Sequence, residues 1–177
     1  MIDLRYKIEL GNNYSFEFKN IGCIASNKIT EFILKNERAY NLRYINDNEP
    51  IVFDEKSKIY ECYLNEVLVA FIILEVWYYG DGYEIIFGTL TDDTNVHFTE
   101  ILRQFLQNEY KEDLKIFALV KDDNPDKQTV FKILGKNGFI QDTFKQTKIY
   151  KDLRGNGRLE DEPDEFVYTP ANNYEPT

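Results

Sequence analysis

The sequence predicts an α/β (α+β) domain: a mixed, largely antiparallel central sheet flanked by helices on both faces and followed by an extended C-terminal tail. Three observations carry this. From Lys58, the stretch KIYECYLNEVLVAFIILEVWYYGDGYEIIFGTL is a series of apolar and β-branched runs broken at Asn65-Glu66 and Gly80-Asp81-Gly82, the punctuation of a three-strand meander. After Leu90 the period changes, and Val96, Phe98, Ile101, Leu102, Phe105 and Leu106 recur at helical spacing. Val67 to Leu74 is apolar at almost every position, as expected of a central strand covered on both faces.

Taken in order, Leu4, Tyr6, Ile8 and Leu10 alternate with charged residues and predict a strand with one wet face. After a turn at Gly11-Asn12-Asn13, the alternation of Tyr14, Phe16 and Phe18 predicts a second strand and an opening hairpin. Ser26 or Asn27 is suited to cap a helix in which Ile29, Phe32, Ile33 and Asn36 through Tyr40 keep helical spacing. Asn46 to Lys56 is polar and broken by Pro50, a loop before the meander. Gly88 interrupts the third meander strand, which marks a bulge, a close approach of another chain segment or ligand, or a tolerated glycine near a strand end. LKIFALV then reads as a buried strand, TVFKILGKNGF as a helix stopping near Gly138, and FIQDTFKQTKIYKDL as a closing hairpin. Phe71, Ile73, Trp77, Ile85, Phe117 and Leu119 are the expected centre of the core.

The composition changes once, after Leu153. Arg154 to Arg158 is a glycine-containing hinge, Leu159 to Glu165 an acidic run, and FVYTPANNYEPT a short aromatic end. The organisation expected is therefore a domain over 1–153 and a tail over 154–177 outside the folded unit. Extended, that tail would reach roughly 70 Å, beyond the ~40 Å breadth of such a domain. Phe166, Val167, Tyr168, Pro170 and Tyr174 are the residues expected to dock on a protein partner or a second copy.

With 177 residues, 43% of them hydrophobic, the chain can build a real core. A formal charge of −10 argues against nucleic acid and anionic membrane as partners, because a polyanion would be repelled. Two cysteines, Cys23 and Cys62, and one histidine, His97, supply neither a disulfide framework nor a metal-ligand cluster. MIDLRYKIEL alternates polar and apolar residues, so no signal peptide is expected. Val67 to Tyr79 is interrupted by Glu75 and is too short to span a bilayer. A cytoplasmic setting is expected, or a virion were the source viral.

The order of elements, together with Asn124-Pro125 and Val130-Phe131-Lys132-Ile133-Leu134-Gly135-Lys136-Asn137-Gly138-Phe139, resembles the GNAT superfamily of acyl-CoA-dependent N-acetyltransferases over residues 20 to 152 or so. The resemblance implies that the last meander strand splays from the next strand, and that a pantetheine arm enters the gap. It also implies a pyrophosphate on backbone N–H groups at the start of the following helix, in a loop with an Arg or Gln and small residues along Gly-x-Gly.

Here that loop is Leu90 to Thr99, without glycine or arginine, and bulky Val96 and Phe98 stand where small residues are wanted. Asp92 and Asp93 would face the pyrophosphate; at about 6 Å each costs it on the order of 0.7 kcal/mol in water. The family's acid, a tyrosine four residues before the Gly-Phe glycine, corresponds to Leu134, which cannot donate a proton. Glu75 and Glu84 lie where the family sometimes draws a base, yet as strand carboxylates they are expected to face solvent, and His97 is expected at the surface.

The sequence thus predicts no catalytic, cofactor-binding or metal-binding residue. The expected function is a GNAT-like protein that does not bind acetyl-CoA and serves as a structural or interaction component of a larger assembly, such as a phage particle. The alternative is a divergent acetyl-CoA-dependent N-acetyltransferase.

Overall fold

The computed structural model describes residues 15–40, 50–76, 82–93, 95–142 and 164–170. A seven-stranded sheet forms its centre. Its strands are β1 (Glu17–Gly22), β2 (Lys58–Leu64), β3 (Val67–Val76), β4 (Gly82–Thr89), β5 (Lys115–Val120), β6 (Ile140–Gln141) and β7 (Asp164–Tyr168). They lie in the order β1-β2-β3-β4-β5-β7-β6. All neighbours are antiparallel except β4 and β5. The helices are α1 (Asn27–Lys35), α2 (Phe98–Gln104) and α3 (Lys127–Lys136). A 3₁₀ turn, Glu37–Ala39, follows α1, and a π-helical turn, Phe105–Glu109, continues α2. The expected fold class is the observed one.

The meander forms as its punctuation requires. Asn65 and Glu66 both take positive φ, +50° and +69°, which closes the β2–β3 hairpin in the sense that matches strand twist. β3 is buried on both faces. Phe71 and Ile73 pack with Ile29 and Ile33 of α1, while Ile72 and Leu74 pack with Ile101, Leu102 and Phe105 on the α2 side. α3 joins that second layer through Leu134, which is fully buried.

α3 ends in a Schellman motif. Phe139 N–H donates to Leu134 O at 3.1 Å and Gly138 N–H to Gly135 O at 3.3 Å, with Gly138 at φ +82°. The Gly-Phe pair legible in the sequence is therefore a helix stop whose Phe139 turns back into the core beside Leu134.

Several expectations are corrected. β1 starts at Glu17, two to three residues later than the alternation suggested, because Phe16 is already buried and its N–H is taken by Gln104 Oε1 at 2.9 Å. α1 stops at Lys35, since the Asn36 side chain donates to Phe32 O at 2.7 Å and the chain tightens into the 3₁₀ turn. In β5 the buried residues are Ile116, Ala118 and Val120; Phe117 and Leu119 are half-buried on the other face. Phe71, Ile73 and Ile85 are buried as expected, and Trp77 lies outside the described residues. So do the first strand of the opening hairpin and the Gly80-Asp81 part of the second meander turn.

The largest correction concerns the C-terminal segment. Asp164–Tyr168 is not an outlying tail but strand β7, inserted between β5 and β6 with register Ile116↔Tyr168 through Val120↔Asp164. Phe166 is 4% exposed and its ring lies 5.0 Å from that of Phe131. Lys127 at the start of α3 reaches Asp164 at 3.3 Å and Asp122 at 3.1 Å, fixing the head of β7. The expected docking residues Phe166, Val167 and Tyr168 are therefore paired within their own sheet, and Pro170 is buried. Tyr174 lies outside the described residues, as does 143–153, the expected second arm of the closing hairpin. The physical reason is that β7 satisfies the backbone of the β5 edge, and Phe166 adds an apolar side chain that packs on Phe131 of α3.

Candidate functional site: the cleft between β4 and β5

β4 and β5 part company along their length. Their parallel register runs from Gly82↔Lys115 to Glu84↔Phe117 and then stops, although β4 continues to Thr89 and β5 to Val120. At the paired end a Cβ on Gly82 would lie 2.6 Å from Lys115 O, so glycine lets the two backbones close there. Beyond it the strands splay over a cavity of about 280 Å³. Phe87, Gly88 and Thr89 form one wall, Ala118 to Val120 the opposite one, and Thr129, Val130 and Ile133 of α3 the floor.

The side of β4 that faces the cleft is not left bare. Leu90 N–H bonds Val69 O on β3 at 2.7 Å, and strand alternation turns Phe87 the opposite way, toward the gap. There the Phe87 carbonyl accepts the Tyr40 hydroxyl at 2.9 Å. Gly88 makes this possible. A Cβ at 88 would lie 2.6 Å from Phe32, 2.7 Å from Tyr40 Oη and 2.8 Å from Phe71. Its interruption of the strand is thus a close approach of side chains and not a bulge, since the β3–β4 register is unbroken. Burial, and then the charge of Asp126, push the Tyr40 phenol well above its ordinary value, so it remains a donor.

The segment carrying Tyr40 is tied across the cleft mouth. Arg38 Nη2 donates to Asp123 O at 3.5 Å, and Asn124 Nδ2 to Ala39 O at 3.4 Å. Asn124 Oδ1 in turn accepts Asp126 N–H at 2.8 Å, the turn that starts α3. Opposite, the rings of Phe87 and Phe98 stack at 4.4 Å with an interplanar angle of 14°.

The loop where a pyrophosphate would be expected is closed on itself. Asp93 N–H donates to Thr91 Oγ1 at 3.2 Å, Asn95 N–H to Asp93 Oδ1 at 2.9 Å, and Val96 N–H to Asp93 O at 3.1 Å. Three backbone donors are spent, one of them on a carboxylate.

The remaining sequence candidates do not meet there. Leu134 is core. Glu75 and Glu84 face each other directly across β3 and β4, and His97 is exposed ahead of α2, its carbonyl accepting Glu100 and Ile101 N–H. Among the described residues no group of three potential metal ligands forms, and no helix is long and apolar enough to cross a membrane. Tyr40 was missed by sequence reasoning; the one available signal was Gly88, whose unexplained place in a strand asked what it made room for.

No protein-family model and no curated protein sequence matches the chain. Among solved structures it is similar to the N-acetyltransferase PseH of Campylobacter jejuni, with 13% identity, a TM-score of 0.50 and coverage of 88% of this chain and 99% of that one. An N-acetyltransferase from Staphylococcus aureus Mu50 matches at 16% identity and a TM-score of 0.46 over 88% and 97% of the two chains. The aminoglycoside acetyltransferase AAC(6')-Ib, solved with paromomycin and acetyl-CoA, matches at 16% and 0.45 over 65% of this chain and only 66% of its own. At these identities the likeness to PseH shows the fold, and the chain has a GNAT-like fold.

Proposed function

We propose that this chain is a non-catalytic binding component built on an acetyltransferase-like fold, whose β4–β5 cleft does not take acetyl-CoA. The observation that carries the proposal is the self-capped loop. The N–H groups of Asp93, Asn95 and Val96 already have acceptors within the loop, and the acceptor for Asn95 is the Asp93 carboxylate. A pyrophosphate would have to displace that carboxylate and then remain beside it, losing the bonds and gaining repulsion. Among the described residues no basic side chain lines the cavity to offset this. The Tyr40 hydroxyl occupies the Phe87 carbonyl on the β4 edge, which any chain lying along that edge would have to compete for.

One observation favours a second reading, a divergent acetyl-CoA-dependent N-acetyltransferase. The cleft is open where the strands splay, and Tyr40 brings to it a phenol that stays protonated, as an acid for a departing thiolate must. That proton is already donated to Phe87 O, which makes the reading the weaker one. Incubating the full chain with acetyl-CoA and a panel of primary amines, with free thiol as the readout, separates them. Thiol release at the uncatalysed rate is expected; amine-dependent release lost in Tyr40→Phe would establish the enzyme.

A further inference from the structure

We propose that the β4–β5 cleft binds a small organic cation, an ammonium on an aromatic or aliphatic body, with the Asp126 carboxylate as its counter-charge. This rests on the reading above that the cleft is a binding site and not an acyl-CoA site. Four rings, Phe32, Tyr40, Phe87 and Phe98, line the cavity together with the aliphatic side chains of β5 and α3. A volume of about 280 Å³ suits a ligand of this size and not a nucleotide.

The described lining carries charge of one sign. Among the described residues Asp126 is the only acidic one that lines it, and none of them that lines it is Lys, Arg or His. Among the described residues the nearby lysines pair with other carboxylates, and Arg38 is held on a backbone carbonyl. Lys127 bridges Asp122 and Asp164, Lys121 lies 3.9 Å from Asp123, and Arg38 donates to the Asp123 carbonyl. Asp126 is exposed to solvent at the start of α3, and after burial its charge is the second cause that raises the phenol of Tyr40, which also lines the cleft.

Among the described residues the start of α3 is the feature that would draw an anion, and magnitudes decide against it. A helix N-terminus carries roughly half a positive charge, whereas Asp126 at its cap carries a full negative one. Two of its donors are also spent: Asp126 N–H on Asn124 Oδ1 and Lys127 N–H on Asn124 O. Aromatic walls add to the preference, because the ring face attracts a cation and repels an anion.

The test is a titration of the full chain, followed by amide shifts in NMR, with three probes of one shape: benzylammonium, benzyl alcohol and benzoate. At low ionic strength benzylammonium should bind about fivefold more tightly than the alcohol, and benzoate more weakly than either, with shifts at Gly88 and Thr129. Asp126→Asn should bring benzylammonium to the level of the alcohol and leave the alcohol unchanged. Asp126→Ser, which keeps a good helix cap, guards against a folding artefact and should do the same. Equal affinity for cation and alcohol, tighter benzoate, no binding of any probe at about 10 mM, or a cation preference that survives both variants would overturn the assignment. A micromolar acetyl-CoA complex would instead remove the reading on which it rests, so the two failures are distinct.

Discussion

The Tyr40 hydroxyl donates to the Phe87 carbonyl at 2.9 Å, joining the end of the α1 segment to the strand edge that faces the cleft. The next residue, Gly88, has no room for a Cβ because Phe32, Tyr40 and Phe71 converge on it. Tyr40→Phe should therefore cost about 1 kcal/mol, the net value of one hydrogen bond. Gly88→Ala should cost more, about 1–3 kcal/mol, through overpacking. Because the hydroxyl is one of the atoms in the way, the Gly88→Ala cost should shrink in the Tyr40→Phe background. Urea unfolding of the two single variants and the double variant measures all three, and strict additivity would show that the hydroxyl and position 88 do not share that space.

β7 is expected to be part of the stability of the domain. Phe166→Ala should cost about 3–5 kcal/mol, as for a large side chain removed from a core, and deleting 160–177 should lower the unfolding midpoint more still. Lys127→Met should cost less, since the ion pairs it loses with Asp122 and Asp164 are partly exposed. A truncated chain as stable as the full one would mean that the strand is dispensable.

High pH should destabilise the protein. Burial pushes the Cys62 thiol from an ordinary value of 9.0 up to about 12. Burial likewise raises the phenols of Tyr40, Tyr83 and Tyr110, with the Glu112 carboxylate adding to the last two. A group held protonated in the fold ionises first in the unfolded chain, so the stabilisation is whole below pH 9 and is lost as pH climbs toward 12. Each such group contributes a slope of at most about 1.4 kcal/mol per pH unit. Urea midpoints should fall between pH 8 and pH 10.5, and Cys62→Ala should fall by less. In the native protein at pH 8 a thiol reagent should modify the half-buried Cys23 and leave Cys62 intact until denaturant is added.

Much of the fold was legible because its signals are local. The Asn65-Glu66 turn, the doubly apolar run of β3 and the helix stop at Gly138 each follow from a few adjacent residues and the conformations they permit. Leu134 could be read as core for the same reason. β7 was hidden because Asp164 and Glu165 continue an acidic run that resembles a solvated spacer. Its faint signal was the alternation that buries Asp164 and Phe166, which matters only once the open edge of β5 is known. The site was the least legible part. Tyr40 and Phe87 meet across 47 residues, and the Asp93 caps depend on loop geometry that residue identity alone does not set.

Calorimetric titration of acetyl-CoA into the full chain at low salt is the most direct measurement of whether the self-capped loop excludes the cofactor. Asp93 holds the Asn95 N–H at 2.9 Å, and no basic residue among those described lines the cavity, so the heat is expected to show no saturable binding below about 1 mM. A saturable complex in the micromolar range, above all one weakened by Tyr40→Ala or by benzylammonium, would contradict it and make the cleft an acyl-CoA site.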